Sequence, residues 1–363
     1  MKTTCLHDRH AALGALMSPF AGFDMPICYR GIEEEHNAVR SRVGVFDVSH
    51  MGEVHITGPD AQAYVNQIFS GNVEPLAVGQ VVYGMMLNDR GGVVDDLLVY
   101  KRSDSDFFLV INASNIDKDV EWMRAHVAGY DVTVDDQSGY WSELAIQGPD
   151  AERTMLDVLG IDCRDLTFYT FKDMTLPGGA PAVVSRTGYT GEDGFELYAP
   201  AADIVAAWDK LMEASVEPCG LGCRDTLRFE AGLPLYGDEL TDDITPLEAG
   251  LGMFAKVGAK DSFIGREALV AQKEAGVPRK IVGLEIDGRA IARHGYPVLD
   301  ADGNQVGEVT TGYHSITLDR NLAMAIVPAA LAAEGTALTV QVRRKTFPAR
   351  VIKKRFYTPK YKK

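Results

Sequence analysis

Two adjacent carboxylates, Asp95 and Asp96, stand inside a run that is otherwise apolar, GGVVDDLLVY at 91–100. The run reads as a two-glycine turn followed by a buried strand of apolar and β-branched residues. A carboxylate without a partner is strongly disfavoured there, and it either finds donors or shifts its pKa. Side chains alternate across a strand, so Asp95 and Asp96 face opposite ways. One can face solvent or a loop amide while the other faces a pocket. The chemistry open to a pocket-facing carboxylate is proton transfer or stabilisation of a developing positive charge. A strand end whose acid caps a turn accounts for the pair equally well.

Two further frames embed polar residues among glycines and apolar residues. In RTGYTGEDGFELY (186–198) the glycines allow a tight turn, and Glu196 then sits inside an apolar strand. A carboxylate held there can accept two parallel N–H bonds from a planar, amidine-like edge. In GLGCRDTLRFEAGL (220–233) Asp225 reads as an acid at a helix N-terminus. Arg224 reads as lying just before that helix, where guanidinium and backbone amides could hold an anion together. Taken singly, each frame fits a structural ion pair as well as a site. Signatures of other chemistries are missing: there is no G-x-x-x-x-G-K-[ST], no G-x-G-x-x-G after a strand, no H-E-x-x-H and no G-x-S-x-G. The eight histidines are dispersed, and Cys219 and Cys223 have no second Cys or His pair nearby, which argues against a metal site.

The elements that must position these residues follow from periodicity and punctuation. Residues 31–42 (GIEEEHNAVRSR) carry acids early and arginines late, the charge order a helix favours. Strand-rich sequence over 43–54, a helix over 60–68, the strand after Gly91, an apolar strand at 107–112 and an amphipathic helix at 117–126 follow. This order predicts an antiparallel, ferredoxin-like α+β layer. A strand at 144–147, a helix at 149–159, a hairpin within 182–198 and a helix at 201–214 echo it, a repeat of fold and not of sequence. From Arg279 onward, short strands alternate with turn signals at Asp287-Gly288, His294-Gly295, Asp302-Gly303 and Thr311-Gly312, predicting a small β-barrel. The expected division is 1–275, holding two interleaved α+β subdomains, and 276–363, the barrel.

Composition narrows the class. A chain of 363 residues with a formal net charge of −15 argues against general nucleic-acid binding. No stretch approaches the ~18–20 apolar residues of a membrane span. The first 23 residues resemble neither a secretory signal nor an Arg- and Ser-rich transit peptide. Five scattered cysteines point to a reducing compartment. A cytoplasmic protein is expected. From Gln341 to Lys363 there are ten Lys and Arg and no Asp or Glu. Such an end is either a solvated tail or a dock for an anionic ligand or acidic partner.

In order and spacing, AGFDMP (21–26), VGVFDVSHMGE (43–53), GGVVDDLLVY (91–100), SRTGYTGEDGFEL (185–197), GLGCRDTLRFEAGLPLYG (220–237), FIGREAL (263–269) and the strand around Met324 resemble the T-protein of the glycine cleavage system, the aminomethyltransferase family. The resemblance covers nearly the whole chain. It implies a multidomain clover leaf around a central channel, with a C-terminal β-barrel. It implies that a one-carbon unit passes from the aminomethyl-lipoyl arm of H-protein to tetrahydrofolate. The products would be 5,10-methylenetetrahydrofolate, ammonia and dihydrolipoyl-H-protein. By similarity Asp96 is the carboxylate near the reacting nitrogens, Glu196 grips the 2-amino and N3 edge of the pterin, and Arg224 binds substrate. Asn112, Met51, Tyr83, Tyr100, Tyr189 and Tyr361 match further pocket positions. Tetrahydrofolate is the implied co-substrate and lipoylated H-protein the implied partner, with no metal, nucleic acid or membrane. The TGYHSI segment (311–316) lacks the proline of the family's turn. An iron–sulfur assembly factor on the same scaffold carries a K-G-C-x-x-G-Q-E segment, where this chain has Cys223 in GLGCRD. Folate-dependent demethylases and a non-enzymatic folate-binding module are the alternatives.

Overall fold

The structure, a computed structural model, describes residues 1–362. An N-terminal segment contributes helix α1 (His7–Ala12), a hairpin of β1 (Leu16–Phe20) and β2 (Phe23–Cys28), helix α2 (Ile32–Ser41) and strand β3 (Gly44–Asp47). Helix α2 carries Glu33, Glu34 and Glu35 in its first turn and Arg40 in its last, as the macrodipole favours. Glu35 is buried and accepts the backbone N–H of Tyr29 (2.6 Å) and of Gly220 (2.9 Å), so it ties the helix entry to a segment 185 residues along the chain.

Two repeats of one plan follow. The first runs β4 (Gly52–Thr57), α3 (Ala61–Ile68), β5 (Val81–Leu87), β6 (Val93–Ser103), β7 (Asp106–Ile111), α4 (Ile116–Ala125) and β8 (Thr133–Asp136). The second runs β9 (Trp141–Gln147), α5 (Ala151–Asp157), β10 (Phe171–Thr175), β11 (Pro181–Ser185), β12 (Gly194–Pro200), α6 (Ala201–Glu213) and β13 (Glu217–Cys219). The first sheet is ordered β5-β6-β7-β4-β8 and is antiparallel throughout. Apart from the edge strand β5, this is the ferredoxin-like order of a βαββαβ unit. The second sheet, β10-β11-β12-β9-β3-β13, has the same order with β10 added at one edge and β3 inserted beside β9. β3 pairs with β9 antiparallel and with β13 parallel. The borrowed strand interleaves the N-terminal segment with the second repeat.

Alternation along the strands decides what each face covers. One face of the first sheet (Val54, Ile56, Val99, Phe107) packs on Tyr64, Val65, Val120 and Met123 of its own helices. In the second, Leu144, Ile146, Phe195 and Leu197 pack on Met155, Ile204 and Trp208. The opposite faces meet in an aromatic layer of Tyr100, Phe108, Trp141, Phe171 and Tyr198. Tyr100 meets Phe171 edge-on at 5.1 Å and Phe108 meets Tyr198 at 5.5 Å. Such pairs add about 0.5–1.5 kcal/mol each beyond their area burial.

Helix α7 (Leu221–Glu230), a long loop and helix α8 (Arg266–Ala275) lead to the barrel. The Gly91–Gly92 turn seats this loop. Gly91 has φ +83°, and a Cβ on Gly92 would lie 1.8 Å from the carbonyl oxygen of Asp242. The barrel comprises β14 (Arg279–Ile286), β15 (Pro297–Leu299), β16 (Gln305–Ser315), β17 (Arg320–Pro328), β18 (Ala337–Val342) and β19 (Lys345–Ile352). It closes in the order β14-β17-β16-β15-β18-β19 around Leu284, Val298, Val309, Ala323, Val340 and Val351. Three of the four expected barrel turns carry a positive-φ glycine: Gly288, Gly295 and Gly303. The fourth is corrected. Thr311-Gly312 lies inside the eleven-residue strand β16, next to a bulge between Val309 and Thr311. Gly312 is needed there for close approach, since a Cβ would lie 2.5 Å from the carbonyl oxygen of Ala292. Among the described residues, no helix is long and apolar enough to cross a membrane.

Candidate active site

A cavity of about 830 Å³ opens where the two sheets, α7, the long loop, the barrel and the C-terminal segment converge. Its volume lies in the ~300–1,000 Å³ range of small-molecule sites. Asp96, Glu196, Arg224, Asn112, Met51, Tyr83, Tyr189 and Tyr361 all line it.

Strand alternation separates the two aspartates as expected. Asp95 is fully buried and accepts Asn112 N–H (3.0 Å), Asn112 Nδ2 (2.9 Å) and Asn115 Nδ2 (2.7 Å). Asp96 faces the cavity. Its Oδ2 accepts the Tyr83 hydroxyl at 2.9 Å and its Oδ1 accepts Asn112 Nδ2 at 2.9 Å. Burial, together with the neighbouring Asp95, raises the Asp96 carboxyl to about 7. It can therefore exist as acid or anion near neutral pH, the condition suited to proton transfer. Burial and the adjoining Asp96 push the Tyr83 hydroxyl well above its usual range, so it stays a donor.

Glu196 is held on β12 with its neighbours chosen by register. Its Oε2 accepts Thr187 Oγ1 at 2.5 Å and Tyr198 OH at 3.4 Å. The residue is 6 % exposed, and burial raises its pKa. Tyr100 is the one expected pocket residue that the structure does not bring to the cavity. It is fully buried in the aromatic layer, its hydroxyl 3.2 Å from Ser185 Oγ and 3.1 Å from Tyr198 OH. Ser185 contacts Thr187, so Tyr100 supports Glu196 from behind the wall. The reason is local: Asp96, Leu98 and Tyr100 share one face of β6, and that face passes from cavity to inter-sheet core within four residues.

The third frame divides into a structural half and a free half. Helix α7 begins at Leu221, earlier than expected, so Arg224 and Asp225 lie within it. The Arg224 amide is bonded to the Gly220 carbonyl (3.1 Å) and cannot assist in holding an anion. Its guanidinium lies over the Tyr189 ring at 4.8 Å. Asp225 receives Arg228 Nε at 2.6 Å and the Tyr313 hydroxyl, which makes it a tie between α7 and the barrel.

Several lining residues escaped sequence reasoning. Glu143 stands on β9 across from Tyr198, and its Oε2 has no hydrogen-bond partner among the described residues. Burial, reinforced by Glu196 and Glu53, pushes its carboxyl well above the usual carboxylate range. Its signal was present: a lone acid inside the apolar strand WSELAIQ. His50 Nδ1 likewise has no hydrogen-bond partner among the described residues, and burial with Arg224 nearby lowers the imidazole to about 4. The basic C-terminal run does not act as one unit. Arg343, Arg344 and Lys345 are exposed at the β18–β19 turn. The Lys354 ammonium points inward to the Ala249 carbonyl, and burial lowers it to about 8. Arg355 lies at the cavity rim. Tyr361 stacks on Phe168, ring centroids 4.1 Å apart. Lys363 lies outside the described residues.

Comparison with known proteins agrees with this fold. The GCVT N-terminal domain matches residues 6–259, and the glycine cleavage T-protein C-terminal barrel domain matches residues 279–358. An aminomethyltransferase of Desulfitobacterium hafniense is 48 % identical over 361 residues, 98 % of each chain. One of Alkaliphilus oremlandii is 47 % identical over 367 residues, covering 100 % of this chain and 99 % of the relative. The crystal structure of glycine cleavage system aminomethyltransferase T from Bartonella henselae superposes with a TM-score of 0.94 at 34 % identity, over 100 % of this chain and 99 % of that one. On the cavity and on these matches, the chain belongs to the aminomethyltransferases, the T-protein family of the glycine cleavage system.

Proposed function

We propose that this enzyme transfers the one-carbon unit from the aminomethyl-lipoyl arm of H-protein to tetrahydrofolate, releasing ammonia, with Asp96 at the reacting nitrogens. The observation that carries this reading is the pairing, in one cavity, of a titratable carboxyl at Asp96 with a second acceptor at Glu196. The cavity suits a reduced pterin. Glu196 presents a carboxylate edge to parallel N–H donors, and Tyr83, Tyr189 and Tyr361 supply aromatic surface. Asp96, as the anion, would favour positive charge developing beside it. Asn112 and Tyr83 hold its two oxygens in place. Arg224 offers a guanidinium without an ion pair among the described residues to an anionic part of the substrate. Met51 contributes apolar wall. The chain is proposed to divide at 275/276 and to work in the cytoplasm. The alternatives, a folate-dependent demethylase or a module that only binds folate, are not favoured by the aminomethyltransferase matches.

Turnover separates these readings. Aminomethylated H-protein and tetrahydrofolate should yield stoichiometric ammonia and methylenetetrahydrofolate. Binding of tetrahydrofolate without ammonia release would leave only the binding module. The exposed basic residues of the C-terminal segment, Lys353 and Arg355, serve partner capture in this proposal. Lys353→Glu with Arg355→Glu should raise the KM for H-protein severalfold at low salt and leave kcat nearly unchanged. The difference should fade at high salt, because rim charges act mainly on association. Lys354 is excluded from this test because its ammonium is engaged inside. Equal KM values for variant and parent at low salt would reduce the basic stretch to solvated surface.

A further inference from the structure

The cavity wall holds an acceptor that the protein itself leaves unused. Glu143, on β9, lines the cavity and is 2 % exposed. Its backbone is pinned on both sides: the N–H donates to Ser49 Oγ at 3.0 Å, and the carbonyl accepts Val48 N–H at 3.1 Å. Its side chain is not pinned, since Oε2 has no hydrogen-bond partner among the described residues. Tyr198, directly opposite on β12, has its hydroxyl engaged by Glu196 Oε2 at 3.4 Å and by Tyr100 OH at 3.1 Å. Burying a polar group without a partner is costly. In the wall of a ligand cavity, such a group points to a donor that the ligand brings.

Register decides which part of the ligand that is. Glu143 pairs with Tyr198, and Ala145 pairs with Glu196. Residues opposite each other in an antiparallel pair share a face, so these four stand together on the face turned away from α5 and α6. Glu143 and Glu196 are diagonal neighbours, roughly 7–8 Å apart, a separation that long side chains reach across. Ala145, between them, adds no bulk to close the gap. A 2-amino-4-oxo pterin edge carries three N–H bonds, one on N3 and two on the amino group. A single carboxylate meets two of them in parallel. The third points past the other side of the amino group. We propose that Glu143 is a specificity-determining residue for the folate: it accepts the amino hydrogen that Glu196 leaves free, so the exocyclic amino group is held from both sides. A carboxylate and a carboxylic acid both keep an acceptor oxygen, so the role holds in either form. The pyrimidine end of the pterin lies away from N5 and N10, so Glu143 acts on binding and not on the transfer step.

The proposal rests on the cavity as the folate site with Glu196 at the pterin edge, and its test separates the two. Anaerobic calorimetry of the full-length enzyme uses tetrahydrofolate and its 2-desamino-2-methyl analogue, which lacks the amino hydrogens. Glu143→Leu should raise the Kd for tetrahydrofolate roughly 3- to 10-fold, the scale of one net hydrogen bond, and leave that for the analogue within about twofold. Glu143→Gln keeps a carbonyl acceptor and should stay within about twofold of the parent for both ligands. The melting temperature excludes a merely structural acid, whose loss would lower it. Removing an unpartnered buried carboxyl should leave it unchanged or raise it. Glu143→Met replaces the leucine variant if that one does not fold. Unchanged tetrahydrofolate affinity in the leucine variant overturns the proposal, and so does an equal loss for both ligands, which would trace to the shape of the wall. A glutamine variant as weak as the leucine variant would put a charge requirement in place of an acceptor and overturns it too. An unchanged Kd for tetrahydrofolate with a raised KM for aminomethylated H-protein would give the carboxyl to the amine of the arm instead. A parent that binds no tetrahydrofolate rejects the folate reading of the cavity and Glu143 with it. Binding that falls in Glu196→Ala but not in Glu143→Leu rejects the role of Glu143 alone.

Discussion

Asp96→Asn lowers kcat by about 10²- to 10³-fold and changes the dissociation constant for tetrahydrofolate by less than about threefold, the pattern of a charge that acts in the transition state. The amide keeps the size of the carboxyl and can still meet Tyr83 and Asn112, so the cavity wall stays in place. What is lost is the negative charge proposed to stand next to the reacting nitrogens. In the parent enzyme that charge has a pH signature. With Asp96 near 7, the ionised fraction rises as pH increases through neutrality. If the anion is the working form, kcat/KM, which reports the free enzyme, climbs through about pH 7 and levels above it. Asp95→Asn should cost much less chemistry. It removes the anion that helps hold Asp96 up, so the acid limb of kcat/KM should move to lower pH. Equal kcat losses in the two variants, or a defect confined to folate binding, would mean that the wrong carboxylate has been assigned. Steady-state kinetics from pH 5.5 to 8.5, with calorimetry of tetrahydrofolate binding, supply all of these readings.

The sequence revealed most where local chemistry and local structure coincide. Acids inside apolar strands marked Asp96 and Glu196, and the same rule applied to WSELAIQ would have marked Glu143. The charge order of α2 and the positive-φ glycines of the barrel turns are set by neighbouring residues, so they too were legible. What escaped depends on distant contacts. Period-two alternation places Tyr100 on the face of Asp96, but only the packing of the second sheet shows that this face has become core by that point. The start of α7 is fixed by Glu35, which binds the Gly220 amide from far along the chain, and this drew Arg224 into the helix. β3 joins the second sheet by pairing with β9, a partner about a hundred residues away that no local pattern announces. Lys354 looked like one charge of a solvated run, yet the Ala249 carbonyl takes it inward.

The second large effect falls on binding. Glu196→Ala should weaken tetrahydrofolate binding by roughly 1.5–3 kcal/mol, the range for hydrogen bonds to a charged group, which is about a 10- to 150-fold rise in the dissociation constant. The size follows from where the carboxyl sits. The residue is 6 % exposed, and only its Oε2 is engaged, by Thr187 and more distantly by Tyr198. Burial raises its pKa, so the free carboxyl is short of partners, and a ligand edge with two N–H donors supplies what the protein withholds. Glu196→Gln is the sharper variant. It preserves volume and the Thr187 contact, but its amide offers one acceptor and sets an N–H against the second ligand donor. It should therefore bind worse than the parent despite its near-identical shape. Asp96→Asn, on a strand of the other sheet, should show the opposite signature, with binding retained and turnover lost. Calorimetry with unchanged affinity in both Glu196 variants would remove Glu196 from the pterin edge. The contact would then have to come from the other acid on that wall, Glu143, whose Oε2 has no hydrogen-bond partner among the described residues.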